Sequence, residues 1–238
     1  MTPRIGVAGW ALRREQQDLF GEGASHLARY ATRLSAVEIN SSFYRPHRRK
    51  TYERWAASVP ADFRFSAKLP RAITHEARLK NGEKPLAGFL EEVTGLGDRL
   101  GPLLVQLPPS LAFDASVAAE FFAGFRMRFD GLLACEPRHA SWFAAPAQAL
   151  LKKHHVARVA ADPAPISGSS APGADRPGGW RGFCYFRWHG SPVMYRSDYG
   201  PARLAALAAR LTPDDWCIFD NTAAGAAAPN ALALRGML

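Results

Sequence analysis

Apolar residues recur along this chain in short runs, and most of the runs end in a polar or charged side chain. The runs occupy residues 5–10, 36–40, 63–68, 103–106, 132–138, 156–162, 183–189 and 217–221. Most are followed by a stretch with helical spacing: 25–34, 50–58, 86–100, 115–125, 143–154, 201–211 and 226–234. In 86–100, Leu86, Phe89, Leu90, Val93, Leu96 and Leu100 fall three or four apart, the period of a one-faced helix. Asp114 is placed to cap the fourth helix, and Pro201 to begin the sixth. Eight strands alternating with helices predict an α/β fold, a TIM-like (β/α)8 barrel in a single domain over 1–238.

One stretch breaks the pattern. Residues 163–182 hold Pro163, Pro165, Pro172, Pro177 and five glycines, and no amphipathic helix can be drawn there. The sixth unit is therefore expected to be irregular, with a long loop in place of its helix, either a lid or a mobile segment.

Strand side chains alternate between faces, so parity assigns them. With Val37 and Ile39 packed outward, Glu38 and Asn40 face in. The same logic turns Lys68, Glu136, Arg138, Arg187 and His189 inward, and with Val159 and Ala161 outward it turns Asp162 inward too. In the last run both Ile218 with Asp220 and Phe219 with Asn221 are open as the inward set. A parallel barrel gathers all these carboxyl-terminal strand ends in one mouth. Buried charges must pair, bind water or bind a ligand, so this set predicts a polar network able to shift pKa values.

Composition narrows the picture. The 238 residues are 47% hydrophobic, enough for one core, and no run reaches the roughly 18 apolar residues of a membrane span. The N-terminus lacks the pattern of a secretory signal, and a cytoplasmic protein is expected, with no membrane partner. Cys135, Cys184 and Cys217 form no C-x-x-C pair and are expected to be reduced core thiols. The net charge is +9. Residues 1–84 carry 16 Lys and Arg against 8 Asp and Glu, and the remainder 14 against 13. Such a basic rim favours anionic ligands. There is no phosphate-binding G-x-x-x-x-G-K-[ST] loop, no G-x-S-x-G elbow and no dinucleotide fingerprint.

The segments that carry these residues are themselves familiar. They are Ile5-Gly-Val-Ala-Gly-Trp10, Val37-Glu-Ile-Asn-Ser-Ser-Phe-Tyr44, Phe63-Arg-Phe-Ser-Ala-Lys68, Ile73-Thr-His-Glu76, Val105-Gln-Leu-Pro-Pro109, Glu136-Pro-Arg-His139 with Ser141-Trp142, Phe186-Arg-Trp-His-Gly190, Phe219-Asp-Asn-Thr222 and Asn230-Ala231. In this order, over nearly the whole chain, they resemble the YecE-like family, also called domain of unknown function 72. The resemblance implies a TIM-like barrel and no particular reaction. It also singles out Glu38, Asn40, Lys68, His75, Gln106, Glu136, Arg138, His189, Asp220 and Asn221. The chain departs from the family pattern in 163–182 and at Trp188, where a smaller apolar residue is expected.

The functional expectation is an enzyme doing acid/base chemistry, of hydrolase, isomerase or lyase type, on a small polar or anionic substrate. Glu38, Lys68, Glu136, His189 and Asp220 are the expected catalytic groups. Trp10, Asn40, Tyr44, His75, Gln106, Arg138, Trp142, Arg187 and Asn221 are expected to bind substrate. No cofactor is predicted. Three alternatives stay open: a divalent metal on Glu136, Asp162, His189 and Asp220, a nucleic-acid-binding or processing protein using the basic rim, and a non-catalytic ligand-binding barrel.

Overall fold

The computed structural model describes residues 2–164 and 173–238. Its strands are β1 (Arg4–Val7), β2 (Ala36–Ile39), β3 (Arg64–Lys68), β4 (Leu100–Gln106), β5 (Leu133–Glu136), β6 (Val156–Arg158), β7 (Ala160–Asp162), β8 (Gly178–Gly179), β9 (Tyr185–Trp188) and β10 (Trp216–Phe219). The helices are α1 (His26–Tyr30), α2 (Arg49–Ala57), α3 (Glu83–Val93), α4 (Ala115–Arg126), α5 (Ala145–Lys153), α6 (Pro201–Ala208) and α7 (Ala227–Arg235). None of the described helices is long and apolar enough to cross a membrane.

Local chemistry explains the helix limits. Asp114 accepts from the backbone N–H groups of Ser116 and Val117 and so starts α4. Pro201 opens α6, where a missing N–H costs nothing. The helix expected over 86–100 stops at Val93. Residues Thr94–Arg99 wind more tightly, and Gly97, at φ +52°, lets the chain turn into β4.

The strands form two sheets, in the orders β1-β10-β9-β7 and β2-β3-β4-β5-β6-β8. All pairings are parallel except β6 with β8. The fold is therefore α/β with mainly parallel sheets, as the alternation predicts. The sheets adjoin at two places. The Gly9 N–H donates to the Glu38 carbonyl at 2.9 Å, beside a parallel bridge between Ala8 and Glu38. The segment holding β6 and β7 pairs first with β5 and then with β9.

One face of the strands packs on the helices through residues such as Val37, Phe65, Leu103, Leu133, Phe186 and Phe219. The opposite face has its own small core of Ala36, Leu104, Ala134, Ala157, Tyr185 and Ile218. Predicted parity holds in most strands. It fails in the sixth run, where Val159 and Ala161 join the inner core and Ala160 packs with the helices. The reason is that 156–161, apart from Arg158, is apolar on both parities, so the pattern alone cannot orient it. The last run resolves with Ile218 inward and Cys217 and Phe219 outward.

The irregular sixth unit is partly corrected. Gly178 and Gly179, within the segment expected to be loop, pair antiparallel with Arg158 and Ala157 as β8. Residues 165–172 of that segment lie outside the described residues. Trp188, unexpectedly large, lies 4.3 Å from Tyr199 and 6.0 Å from Phe219, ring centre to ring centre. All three cysteines are free; Cys135 and Cys217 are buried and Cys184 is half-buried.

The approach of β1 to β2 depends on Gly6. A Cβ there would stand 2.3 Å from the Ala36 carbonyl oxygen, a backbone atom that cannot swing aside. Gly6→Val is expected to lower unfolding free energy by about 1–3 kcal/mol, measured by urea denaturation. An unchanged midpoint would show that the two strands have room to separate.

Candidate functional site

The inner face ends, toward the strand carboxyl termini, in a buried set of charges. Glu38 leaves β2, Lys68 ends β3, Gln106 ends β4, Glu136 ends β5, Arg187 sits in β9, and His189 and Asp220 follow β9 and β10. Alternation puts each of them on the inner side. Glu38, Arg187 and His189 are 0% exposed, Glu136 is 1% and Lys68 is 5%.

Arg187 binds the carboxylates together. Its Nε and Nη2 donate to Glu38 Oε2 and Oε1 at 3.1 and 2.8 Å, a bidentate pair. Nη1 reaches Glu136 Oε2 at 3.2 Å, and Nη2 lies 3.0 Å from Asp220 Oδ2. Tyr185 OH donates to Glu38 Oε2 at 2.9 Å and lies 2.8 Å from Ser66 Oγ. Gln106 Nε2 donates to Glu136 Oε2 at 2.8 Å. Arg138 reaches Glu136 Oε1 at 3.3 Å and the Tyr195 hydroxyl at 3.2 Å.

His189 spans two carboxylates. Nε2 is 2.9 Å from Glu136 Oε1, and Nδ1 is 3.1 Å from Asp220 Oδ2. A carboxylate only accepts, so both ring nitrogens must donate, or one carboxyl must carry the proton. Either way one proton is shared within the triad of Glu136, His189 and Asp220. Despite burial, the Arg187 guanidinium, aided by Arg138 and His189, holds the Glu136 carboxyl well below the usual carboxylate range. Arg187 and His189 likewise lower that of Asp220.

Lys68 differs from the other cations. It makes no hydrogen bond or ion pair among the described residues. Its Nζ instead lies 3.9 Å over the centre of the Phe43 ring. Burial, with Arg187 nearby, lowers its pKa to about 8, against the opposing charges of Glu38, Glu136 and Asp220. His75 meets the edge of the same Phe43 ring at 4.9 Å, with Nδ1 2.9 Å from Thr74 Oγ1. Burial and then the charges of Lys68, Arg138 and Arg71 push its pKa down to about 4, so it is neutral at pH 7.

Asn40 lies two positions past Glu38, just beyond β2, and Thr222 two past Asp220. Both line a cavity of about 650 Å³, together with Gly9, Trp10, His26 and Ser41. Trp10 stands edge-on to Trp55 at 4.9 Å. Tyr44, 69% exposed, stands edge-on to Phe43 at 5.0 Å.

Thus Glu38, Lys68, Gln106, Glu136, Arg138, Arg187, His189 and Asp220 come together, with His75 beside them, while Trp10 and Asn40 line a cavity whose walls include none of these residues. Three expectations are corrected. Asp162 points away from the network, because the parity of its strand is reversed. It pairs with Arg203 Nη2 and accepts from Tyr199 OH at 3.2 Å. The four-ligand metal set is therefore not assembled, and among the described residues no group of three or more His, Cys, Asp and Glu is arranged to hold a metal ion. Trp142 is 1% exposed and gives its ring N–H to the Leu111 carbonyl at 2.9 Å, so it is packing rather than substrate wall. Asn221 also turns outward, to Ser197 O and Asn230 Oδ1, both at 2.9 Å.

Sequence reasoning missed Tyr185, Ser66 and Tyr195. Tyr185 and Ser66 share inward parity with Arg187 and Lys68, a signal that was present. Tyr195 lies in an irregular loop at φ +66°, which no periodicity marks.

Removing the central cation tests the network. Arg187→Leu is expected to cost about 3–5 kcal/mol, because it leaves buried carboxylates uncompensated. Equilibrium denaturation at pH 7 measures this. The pH dependence has two parts. The depressed Glu136 and Asp220 carboxyls stabilise the fold above their unfolded pKa values near 4, and that stability is lost as pH falls through the lower folded values. Lys68 acts oppositely: its folded pKa of about 8 lies below its unfolded value, so stability rises from about pH 8 to about 10.5. Lys68→Met is expected to remove that alkaline rise in denaturation midpoints and keep the acid loss.

A family profile described as "Protein of unknown function DUF72" matches residues 4–238. Over 115 residues the chain is 30% identical to the UPF0759 protein YecE of Escherichia coli strain K12. That stretch covers 44% of this chain and 42% of the relative, less than half of either. Among solved structures, a DUF72 family protein from Enterococcus faecalis V583 is similar with a TM-score of 0.79 at 22% identity, over 100% of this chain and 95% of that one. A DUF72 family protein from Thermotoga maritima MSB8 follows at 0.77 and 22%, over 100% and 99%.

Proposed function

This chain belongs to the DUF72 family of unknown function, and from its buried charges we propose that it is an enzyme performing acid/base chemistry on a small anionic substrate. The carrying observation is the charge left over in the network. Glu38, Glu136 and Asp220 face Arg187, Arg138 and Lys68, and the proton shared through His189 leaves one positive charge in excess. The excess resides on Lys68, whose amine has no carboxylate of its own. A buried charge without a partner costs several kcal/mol, and a ligand anion would recover that cost.

The reading extends to the architecture. The two sheets close into a barrel of TIM type, with β6 and β7 acting as one strand and the Gly9–Glu38 contact sealing the other side. In that geometry the strand ends surround one mouth, the usual seat of chemistry in such folds. Lys68 and Arg138 bind and polarise an anionic or carbonyl oxygen. The Glu136–His189–Asp220 triad delivers or takes the proton, since its shared proton moves over hydrogen-bond distances already in place. Neutral His75 is a second proton carrier. Among the sixteen cations in residues 1–84, Arg49 is tied to Glu53, Arg71 to Glu76 and Arg78 to Ser110.

Thermal denaturation with a panel of small phosphates, carboxylates and sugar phosphates tests this reading. An anion at about 100 times its Kd is expected to stabilise wild type by about 2.7 kcal/mol, an effect lost in Lys68→Met and Arg138→Leu. Equal stabilisation of wild type and both variants, or none by any anion, would remove the reading.

A further inference from the structure

Resting on the anion-binding reading above, we propose that Lys68 is a nucleophile that forms an imine with the carbonyl carbon of a small anionic aldehyde, ketone or 2-oxo acid. The geometry distinguishes this amine from an ordinary charge-pairing lysine. Every carboxylate of the network is already engaged. Both oxygens of Glu38 and of Glu136, and Oδ2 of Asp220, are taken by Arg187, Tyr185, Gln106, Arg138 or His189. Lys68 is thus left against an aromatic face, 5% exposed, with no group among the described residues to hold its proton in place. An amine so placed loses its proton more readily than a solvated one, and the neutral form is the nucleophile.

The surroundings supply the other requirements. Arg138, bonded to Glu136 and 17% exposed at its side chain, suits a carboxylate or phosphate on the substrate. His75 packs against the same Phe43 ring as Lys68 and is itself neutral, so it can accept and return a proton. In the step, the neutral Nζ adds to the carbonyl carbon and its oxygen takes up a proton. The resulting carbinolamine loses that oxygen as water, and a C=N bond remains. His75 carries the proton from nitrogen to the departing hydroxyl. No oxidant, reductant or metal enters the balance. Once the imine nitrogen takes up a proton from solvent, it draws electrons from the neighbouring carbon, which is the chemistry of lyases and isomerases that break or move a bond beside a carbonyl.

Borohydride trapping tests this on the full chain. The protein is incubated near pH 7.5 with glyoxylate, pyruvate or glyceraldehyde 3-phosphate, reduced, and mapped by peptide mass spectrometry. At this pH an amine with a pKa near 8 is neutral about two hundred times more often than a solvated lysine. After allowance for its lower intrinsic reactivity, the reduced adduct at Lys68 is expected to exceed that at Lys50, Lys80, Lys84, Lys152 or Lys153 by about tenfold or more. Arg138→Leu should lower the yield, and Lys68→Arg should abolish it while retaining anion stabilisation. A probe that raises the melting temperature yet labels Lys68 no more than the other lysines would overturn the imine and leave the anion reading standing. If no probe labels Lys68 preferentially and none stabilises the fold, both fail together.

Discussion

The interaction on which the rest depends is the one guanidinium of Arg187 shared among three carboxylates. Fully buried, it makes a bidentate pair with Glu38 and single contacts with Glu136 and Asp220. These acids come from strands far apart in the chain, and one flat cation with donors on several edges can meet them all. No other residue type could do so. A lysine would offer a single point of charge, and an apolar residue would leave the carboxyls to take up protons and lose their mutual order.

The arrangement has a direction. At the base lies a small apolar layer, with the rings of Tyr185 and Trp216 stacked nearly parallel at 6.2 Å. Over it come the acids held by Arg187, with Lys68, Arg138 and neutral His75 among and beside them. The acids are neutralised by Arg187, and the charge of Lys68 is left without a carboxylate of its own. Low dielectric around Lys68 amplifies this, because a cation without a partner is penalised there and a paired one is not. The same burial that lowers the Lys68 pKa is resisted at Glu136, where Arg187, Arg138 and His189 together outweigh desolvation. Of two residues with similar burial, one is driven toward its neutral form and the other toward its charged form by what sits beside it.

Much of this arrangement was legible before any coordinates. Strand parity alone turned Glu38, Lys68, Glu136, Arg187 and His189 toward a common side, because Val37, Phe65, Leu133 and Phe186 needed the helices. Parity failed where the pattern carried no contrast. In the sixth run only Arg158 interrupts the apolar residues before Asp162, and that acid was turned inward by taking Val159 and Ala161 as outward, which they are not. Trp142 illustrates a different limit: an aromatic after a strand reads equally as ligand wall or as packing, and only its bond to Leu111 decides. Tyr195 could not be read, since its place depends on a left-handed turn in an irregular loop. Pairing details were likewise beyond the sequence. Which acid Arg187 grips, and therefore that Lys68 is left over, is a matter of distances.

The central claim is that Lys68 is a buried amine without a carboxylate partner. Reductive methylation with 13C-labelled formaldehyde, followed by NMR titration of each dimethyl-lysine signal, reports this directly. The Lys68 signal is expected to titrate with a midpoint near 8, well separated from the remaining lysines near their ordinary value of about 10.4. A Lys68 midpoint at or above that of the surface lysines would mean that a carboxylate holds its proton, and would contradict the account.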